Sequence, residues 1–272
     1  MYYYYYVRIT LWLLLMILCW MCWTIWSQSA LTSYFFNSPE TPTIKDDEFL
    51  DSQWTVVRIN KEDYEGVLFL PFVKSPFQEE FWKPILWCHG NREYINTTFC
   101  DEIQQLTQRR FNFVEYCGYG CLNTTPFFVD IAIQTMLHTL NFIQWDIVVG
   151  YSLGGILMSQ AMGQHDQPQK RPRRLILINS AFSFVQVLES HIGSQTTRLL
   201  PQVTSFQKDW FSSAKINPKE TYLVHALDDA VIPFQIAHQS SQLYGCNLVV
   251  LPNGGHSLAP WKHLALWKHL LF

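Results

Sequence analysis

The chain has 272 residues, 49% of them hydrophobic and 15% charged, with 19 basic and 22 acidic side chains for a formal net charge of −3. High hydrophobicity with low net charge excludes a disordered chain, and the missing basic excess argues against a nucleic-acid binder. A single apolar run of about 20 residues, where a polytopic membrane protein needs several, excludes that class too.

That run comes first. Nine of the 43 aromatic residues fall within positions 1–26 (Tyr2 to Tyr6, Trp12, Trp20, Trp23 and Trp26), and no residue from Ile9 to Trp26 is charged. Eighteen residues of helix span roughly 27 Å, close to a hydrocarbon core of about 30 Å. Tyrosines and tryptophans at its ends suit an interfacial belt. The segment reads as an uncleaved membrane anchor, with a cleaved signal peptide and a buried helix as alternatives; the run is long for a signal h-region. Arg8 precedes it and the following flank (Glu40, Asp46, Asp47, Glu48) is mostly acidic. An anchor would then put the body on the extracytoplasmic side, and a cleaved signal would make it secreted. Residues 27–51 read as a linker.

Residues 52–272 read as one domain. Trp54–Ile59 and Gly66–Phe72 form a predicted strand pair. Pro84–His89 and Phe111–Tyr116 are short apolar runs that end in glycine-containing turns. Phe127–Phe142 carries apolar residues at helical spacing. Asp146–Val149 is a predicted buried strand and Leu153–Met162 a helix. Leu175–Ile178, Thr221–His225 and Asn247–Leu251 are further short buried strands, while Ile232–Leu243 and Ser257–Leu271 fill helical slots. Alternation of strand and helix predicts an α/β fold, with a mostly parallel central sheet covered by helices on both faces. The body has five cysteines (Cys88, Cys100, Cys117, Cys121, Cys246). An odd count argues against a full disulfide framework, and no spacing with histidine resembles a zinc site. Asn96 and Asn123 each begin an N-x-T sequon, which is close to what chance supplies.

The chemistry concentrates at three places. Gly150-Tyr151-Ser152-Leu153-Gly154 is G-x-S-x-G between a strand and a helix, the context that lifts Ser152 above the sheet edge. No Gly-Lys-Ser/Thr follows, so a phosphate-binding P-loop is excluded. A serine needs a base, and the base needs an orienting acid. Asp228-Asp229 follows the strand at Thr221–His225, and Asn253-Gly254-Gly255-His256 follows the strand at Asn247–Leu251. Ser152, an aspartate and His256 thus stand in the order Ser, acid, His, each after a strand. Either Asp228 or Asp229 can supply the acid. The other eight histidines have weaker contexts: His89 and His225 sit at strand ends, His263 and His269 on a lysine-bearing helix, and the remaining four have no supporting pattern.

Four motifs in order resemble the α/β-hydrolase superfamily of serine hydrolases over about residues 52–272: His89-Gly90-Asn91, Glu115-Tyr116-Cys117-Gly118-Tyr119-Gly120, the Gly150–Gly154 elbow, and His225–Pro233. Glu115 stands where that family's turn has aspartate, and Ala226 where it has glycine. The His-Gly-Asn loop, a small cap and Trp210-Phe211 before Lys215-Ile216 resemble the membrane-anchored hydrolases of the α/β-hydrolase-domain group. The resemblance implies the α/β-hydrolase fold with a small cap at about 182–219, and it assigns the acid to Asp229. It implies an oxyanion hole from the backbone N–H groups of Asn91 and Leu153, which leaves the side chain at Asn91 free to vary. Tyr151, Leu199, Phe206, Trp210 and Phe211 are candidate substrate-binding residues, the last four as an apolar cap wall. The implied activity is cleavage of an ester, thioester or lipid acyl bond through an acyl-serine, with no metal or organic cofactor and no nucleic-acid partner. An aminopeptidase-type amide hydrolase on the same residues and a non-catalytic binding protein are the alternatives.

Overall fold

The computed structural model describes residues 54–61, 64–71, 83–91, 93–107, 109–122, 127–198, 216–257 and 264–271, together with Met16. The strands are β1 (Trp54–Lys61), β2 (Tyr64–Pro71), β3 (Ile85–Cys88), β4 (Phe111–Tyr116), β5 (Ile147–Tyr151), β6 (Arg174–Ile178), β7 (Thr221–Ala226) and β8 (Asn247–Leu251). The helices are α1 (Thr97–Thr107), α2 (Val129–Phe142), α3 (Leu153–Gln164), α4 (Phe184–Ile192), α5 (Ser194–Arg198), α6 (Phe234–Tyr244) and α7 (Leu264–Leu271).

The strands form one sheet in the order β1-β2-β4-β3-β5-β6-β7-β8. β1/β2 and β2/β4 are antiparallel, and every later pair is parallel. Strands β3 to β6 are buried at every residue, as near-continuous apolar runs in a doubly covered parallel sheet should be. Successive strand side chains point to opposite faces, which divides the core in two. Leu86, Cys88, Val148 and Leu177 face one layer with residues of α2, α3 and α6. Ile85, Trp87, Val149 and Ile176 face the other with residues of α1 and α7. Helix α3 is buried from Leu153 through Gly163. Its apolar residues run all round rather than along a stripe, which suits a helix enclosed on every side.

Two expectations need correction. Asn247–Leu251 is a strand but not a buried one: it is the sheet edge, with Asn247 and Val250 exposed. Residues 91–110 carry no element in the sequence reading, yet α1 fills much of that stretch. Its start is written in the sequence: the Asn96 side-chain oxygen accepts from Phe99 N–H at 2.9 Å, an N-cap where only a sequon was noted. Cys100, Ile103 and Thr107 then follow at helical spacing and are buried. Of the span 182–219 expected as a cap, residues 182–198, which hold α4 and α5, and 216–219 are described; residues 199–215, with the 1–26 segment save Met16 and the 27–51 linker, lie outside the described residues.

Parallel register sets the strand ends level. Cys88 pairs with both Val114 and Gly150, Tyr151 with Ile178, and Ala226 with Leu251. The loops that follow therefore emerge on one edge of the sheet, where a doubly wound fold places its ligands. Helix α7 is held by Trp267, which is buried against Trp87 and Phe111 at ring-centroid distances of 6.3 and 6.5 Å. Trp267→Ala should lower stability by about 3–5 kcal/mol, the range for emptying a buried aromatic site. Urea unfolding checks this; a loss below about 1 kcal/mol would mean that α7 is not part of the cooperative core.

Candidate active site

Ser152 is the N-cap of α3 and has φ 49° and ψ −119°, a left-handed-side conformation that few non-glycine residues adopt. Its neighbours hold it there. Ser152 N–H donates to Ile178 O at 2.9 Å, and the Ser180 hydroxyl donates to Ser152 O at 2.6 Å. The glycines permit a backbone-to-backbone fit. A Cβ at Gly154 would lie 2.3 Å from His89 O and 2.4 Å from Cys88 O; one at Gly150 would lie 2.4 Å from the Gly155 Cα. No side chain fits at either place, so the first turn of α3 rests directly on the ends of β3 and β5.

The sequence-predicted trio comes together. Ser152 Oγ lies 2.8 Å from His256 Nε2, and His256 Nδ1 lies 2.8 Å from Asp229 Oδ2 and 3.1 Å from Oδ1. An ionised carboxylate only accepts, so Nδ1 carries the proton and Nε2 is left to accept from the serine hydroxyl. Asp229 Oδ1 also accepts from Val231 N–H and Ile232 N–H, each at 2.9 Å. His225 Nε2 stands 3.4 Å from Oδ2 while donating to Ile232 O at 2.7 Å. Burial pushes the Asp229 pKa up, but the hydrogen bonds from His225 and His256, the His256 charge and the Ile232 N–H outweigh it. The carboxyl is held well below the usual range.

Asp228 has a different task. Its carboxylate accepts from Gly255 N–H at 2.8 Å and Gly254 N–H at 3.2 Å, and so shapes the loop that carries His256. Two further groups converge on the His256 carbonyl: the Tyr151 hydroxyl at 2.7 Å and Asn179 Nδ2 at 2.9 Å. Asn179 was invisible in the sequence. It sits just after β6, fully buried with φ 43°, and its other amide atom accepts from Ala226 N–H at 3.0 Å. One side chain thus ties the ends of β6 and β7 to the histidine loop. The only sequence signal was an asparagine directly after an apolar strand, a residue type that tolerates positive φ.

The His89-Gly90-Asn91 loop is pinned from below. His89 is buried, stacks on Tyr116 (centroids 4.4 Å apart, planes within 3°) and forms an ion pair with Glu115 at 2.5 Å. Burial lowers the His89 pKa, and the Glu115 carboxylate more than offsets this, so the imidazole stays above its ordinary value. Glu115 also accepts from Ile95 N–H at 2.9 Å, so glutamate does the bracing at a position where the resemblance leads one to expect aspartate. The Tyr116 hydroxyl donates to His89 O and the Tyr119 hydroxyl to Asn91 Oδ1, both at 2.8 Å. The Asn91 side chain is engaged apart from any role of its backbone N–H: its amide oxygen holds the loop to the Tyr119 ring.

A cavity of about 640 Å³ opens over Ser152. Asn91, Tyr151, Leu153 and His256 line it as expected, joined by Phe184 and Val187 of α4, Ile156 of α3, and the 230–232 turn. Leu199, Phe206, Trp210 and Phe211 lie outside the described residues. Glu93 and His191 also line the cavity and were not anticipated; His191 Nε2 donates to Val231 O at 2.7 Å, which joins α4 to the turn after Asp229. Leu153 is the first helical residue of α3, where a backbone N–H has no intrahelical acceptor. A hydroxyl, an imidazole and a carboxylate in series, beside a helix N-terminus, can carry out acyl transfer.

No family model and no curated protein sequence matches this chain. Solved structures do. Alpha/beta hydrolase domain-containing protein 10 from mouse superposes with a TM-score of 0.56 at 18% identity, over 80% of this chain and 96% of its own. Est1E from Butyrivibrio proteoclasticus gives 0.58 at 14% identity, over 79% and 95%. A carboxylesterase from Lactobacillus plantarum gives 0.56 at 14% identity, over 81% and 95%. The chain has the α/β-hydrolase fold.

The Asp229 bonds make a pH prediction. A carboxyl whose folded pKa is depressed stabilises the fold above its unfolded value of about 4, and that stability is lost as pH falls toward the folded value. Asp229→Asn should cost about 1–3 kcal/mol at pH 7. The difference between wild type and variant should shrink as the pH drops below about 4. Urea midpoints across pH 2.5–7 test this (roughly the carboxylate range), and a difference independent of pH would overturn it.

Proposed function

We propose that this chain is a serine hydrolase that cleaves a carboxylic ester, thioester or lipid acyl bond through an acyl-serine intermediate. The observation that carries the reading is the unbroken series from Ser152 Oγ to His256 to Asp229, with 2.8 Å at each junction, set on a serine held at φ 49°. Ser152 Oγ attacks the acyl carbon and its proton passes to His256 Nε2. The tetrahedral oxyanion takes hydrogen bonds from the N–H groups of Asn91 and Leu153, which stand at the cavity wall beside the serine. Collapse expels the alcohol or thiol, which leaves with the proton from His256. Water then repeats the sequence and frees the acid. Asp229 stays ionised throughout and stabilises the imidazolium that forms at each step. The carboxylesterase and the lipase/esterase from Lactobacillus plantarum, among the solved structures of this fold, agree with ester chemistry.

The test is covalent. Wild-type protein should react with a fluorophosphonate probe at Ser152, and Ser152→Ala should not. His256→Ala should slow labelling by about 10³-fold or more, as expected for loss of the base. A folded wild type that stays unlabelled would sink the proposal. A panel of acyl esters beside aminoacyl amides separates esterase from aminopeptidase chemistry.

For location we propose that the apolar run at 9–26 holds the enzyme at a membrane with the body on the extracytoplasmic side. What supports this is its length and lack of charge. Among the described residues no helix is long and apolar enough to cross a membrane, so removal of residues 1–26 should release the body. Full-length protein should stay with membranes in alkaline carbonate and the truncated chain should not; extraction of both would count against an anchor.

A further inference from the structure

The acyl-transfer steps leave one cavity group unused. Glu93 lies in the loop between β3 and α1, and its Oε2 accepts from Gly90 N–H at 2.7 Å. Glu93 lines the cavity with Asn91, Tyr151 and Ser152. A Cβ at Gly90 would stand 2.8 Å from the Tyr151 ring and 3.2 Å from Glu93 Oε2, so ring and carboxylate pack against the same face of that glycine. Tyr151 continues the wall to the base through its hydrogen bond to the His256 carbonyl at 2.7 Å.

The surroundings make this carboxylate costly. Burial pushes the Glu93 pKa up, against the pull of the Gly90 N–H, His89 and His256, and Glu115 adds to the push. Among the described lining residues Glu93 is the only acid, and there is no lysine or arginine; His191 and His256 are the other titratable groups apart from Tyr151. His191 is committed to Val231 O and His256 to Ser152 and Asp229. A carboxylate in a partly dry wall is stabilised most by a cation. A neighbouring aromatic ring attracts the same partner through its quadrupole.

We propose that Glu93, with the Tyr151 ring beside it, selects substrates that carry a protonated amine near the scissile carbonyl, and that it disfavours substrates with a carboxylate or phosphate there. This rests on the serine-hydrolase reading and names the substrate class for that site. Glu93 needs no part in the bond-making steps; it acts on binding of the charged group.

The experiment compares three p-nitrophenyl esters of equal acyl length that end in an ammonium, a methyl or a carboxylate group. Fluorophosphonate labelling of Ser152 is measured on every protein sample. Wild type should favour the ammonium ester over the methyl ester by about tenfold or more in kcat/KM, and the carboxylate ester should fall below both. The preference should reside mainly in KM and shrink as salt is raised. Glu93→Gln keeps an acceptor for Gly90 N–H, and it should hydrolyse the ammonium and methyl esters at similar kcat/KM. Asp130→Asn, which removes an exposed acid on α2, should leave the wild-type ratio unchanged. A wild type that labels and turns over the methyl ester without preferring the ammonium ester would overturn the proposal while leaving the serine-hydrolase reading intact. So would a labelled Glu93→Gln that keeps the full preference. A wild type that neither labels nor hydrolyses any ester overturns both.

Discussion

The site depends on one backbone contact. The first turn of α3 lies so close to the end of β3 that Gly154 touches the carbonyl oxygens of Cys88 and His89 with no room for a methyl group. That contact sets the height of Ser152 above the sheet and, at the same stroke, the distance from Ser152 to the His89–Asn91 loop. Parallel pairing of β3 with β5 brings the two strand ends level, but pairing alone leaves the following loops undefined. The glycines convert a strand register into a fixed relation between the Ser152 hydroxyl and the backbone of the His89–Asn91 loop. The strained φ of Ser152 follows from the same arrangement: the chain must turn from strand to helix within one residue, and the Ser180 and Ile178 hydrogen bonds hold it in that turn.

The histidine loop is positioned by a different principle. It has little apolar surface of its own, and polar groups from three strand ends locate it instead. Asp228 takes two of its N–H groups, while Tyr151 and Asn179 take the His256 carbonyl. Tyr151 comes from β5, Asn179 follows β6 and Asp228 follows β7, so His256 is referred to the same strand edges as Ser152. Adjacent aspartates with opposite duties give the loop its accuracy: one carboxylate fixes the backbone of 254–255 and the other fixes the imidazole ring. Exchange of either with a neutral residue would disturb a different coordinate of the same side chain.

Most of this architecture was legible because it is carried by local pattern. Short apolar runs gave β3, β4, β5, β6 and β7, the first three ending at or beside glycine, since strands buried on both faces need no alternation to be seen. G-x-S-x-G and the Gly-Gly-His turn were legible because tight turns restrict residue type. What escaped was everything decided at a distance. The edge position of β8 depends on the order of strands, which its own five residues do not encode. The role of Asn179 depends on three segments meeting at one amide. Helix α1 is hard to read from sequence because its cap doubles as a sequon and its apolar face is short. The choice between Asp228 and Asp229 needed a resemblance to a family, because composition and spacing treat neighbouring aspartates alike.

The unusual aromatic content of the body acquires two physical explanations. On one face of the sheet Trp87, Phe99, Phe111, Phe113 and Trp267 meet edge to face or tilted at 5.8–6.5 Å, which fills the space under α1 and α7. Such rings supply large buried area beneath two short helices. On the other face the rings are of another kind. Tyr116 and Tyr119 pack on His89 and Phe127 packs on both tyrosines, whose hydroxyls the phenylalanine lacks. Those hydroxyls end on His89 O and Asn91 Oδ1, the two points that aim the loop opposite Ser152. A stiff ring with a polar tip can pass through an apolar core and still hold a backbone at its far end, which neither an aliphatic nor a flexible polar side chain does as well. The tyrosines beneath the loop therefore serve the site as much as the core, and the buried His89–Glu115 pair is sustainable because the same rings exclude water from it while Ile95 N–H fills the remaining acceptor.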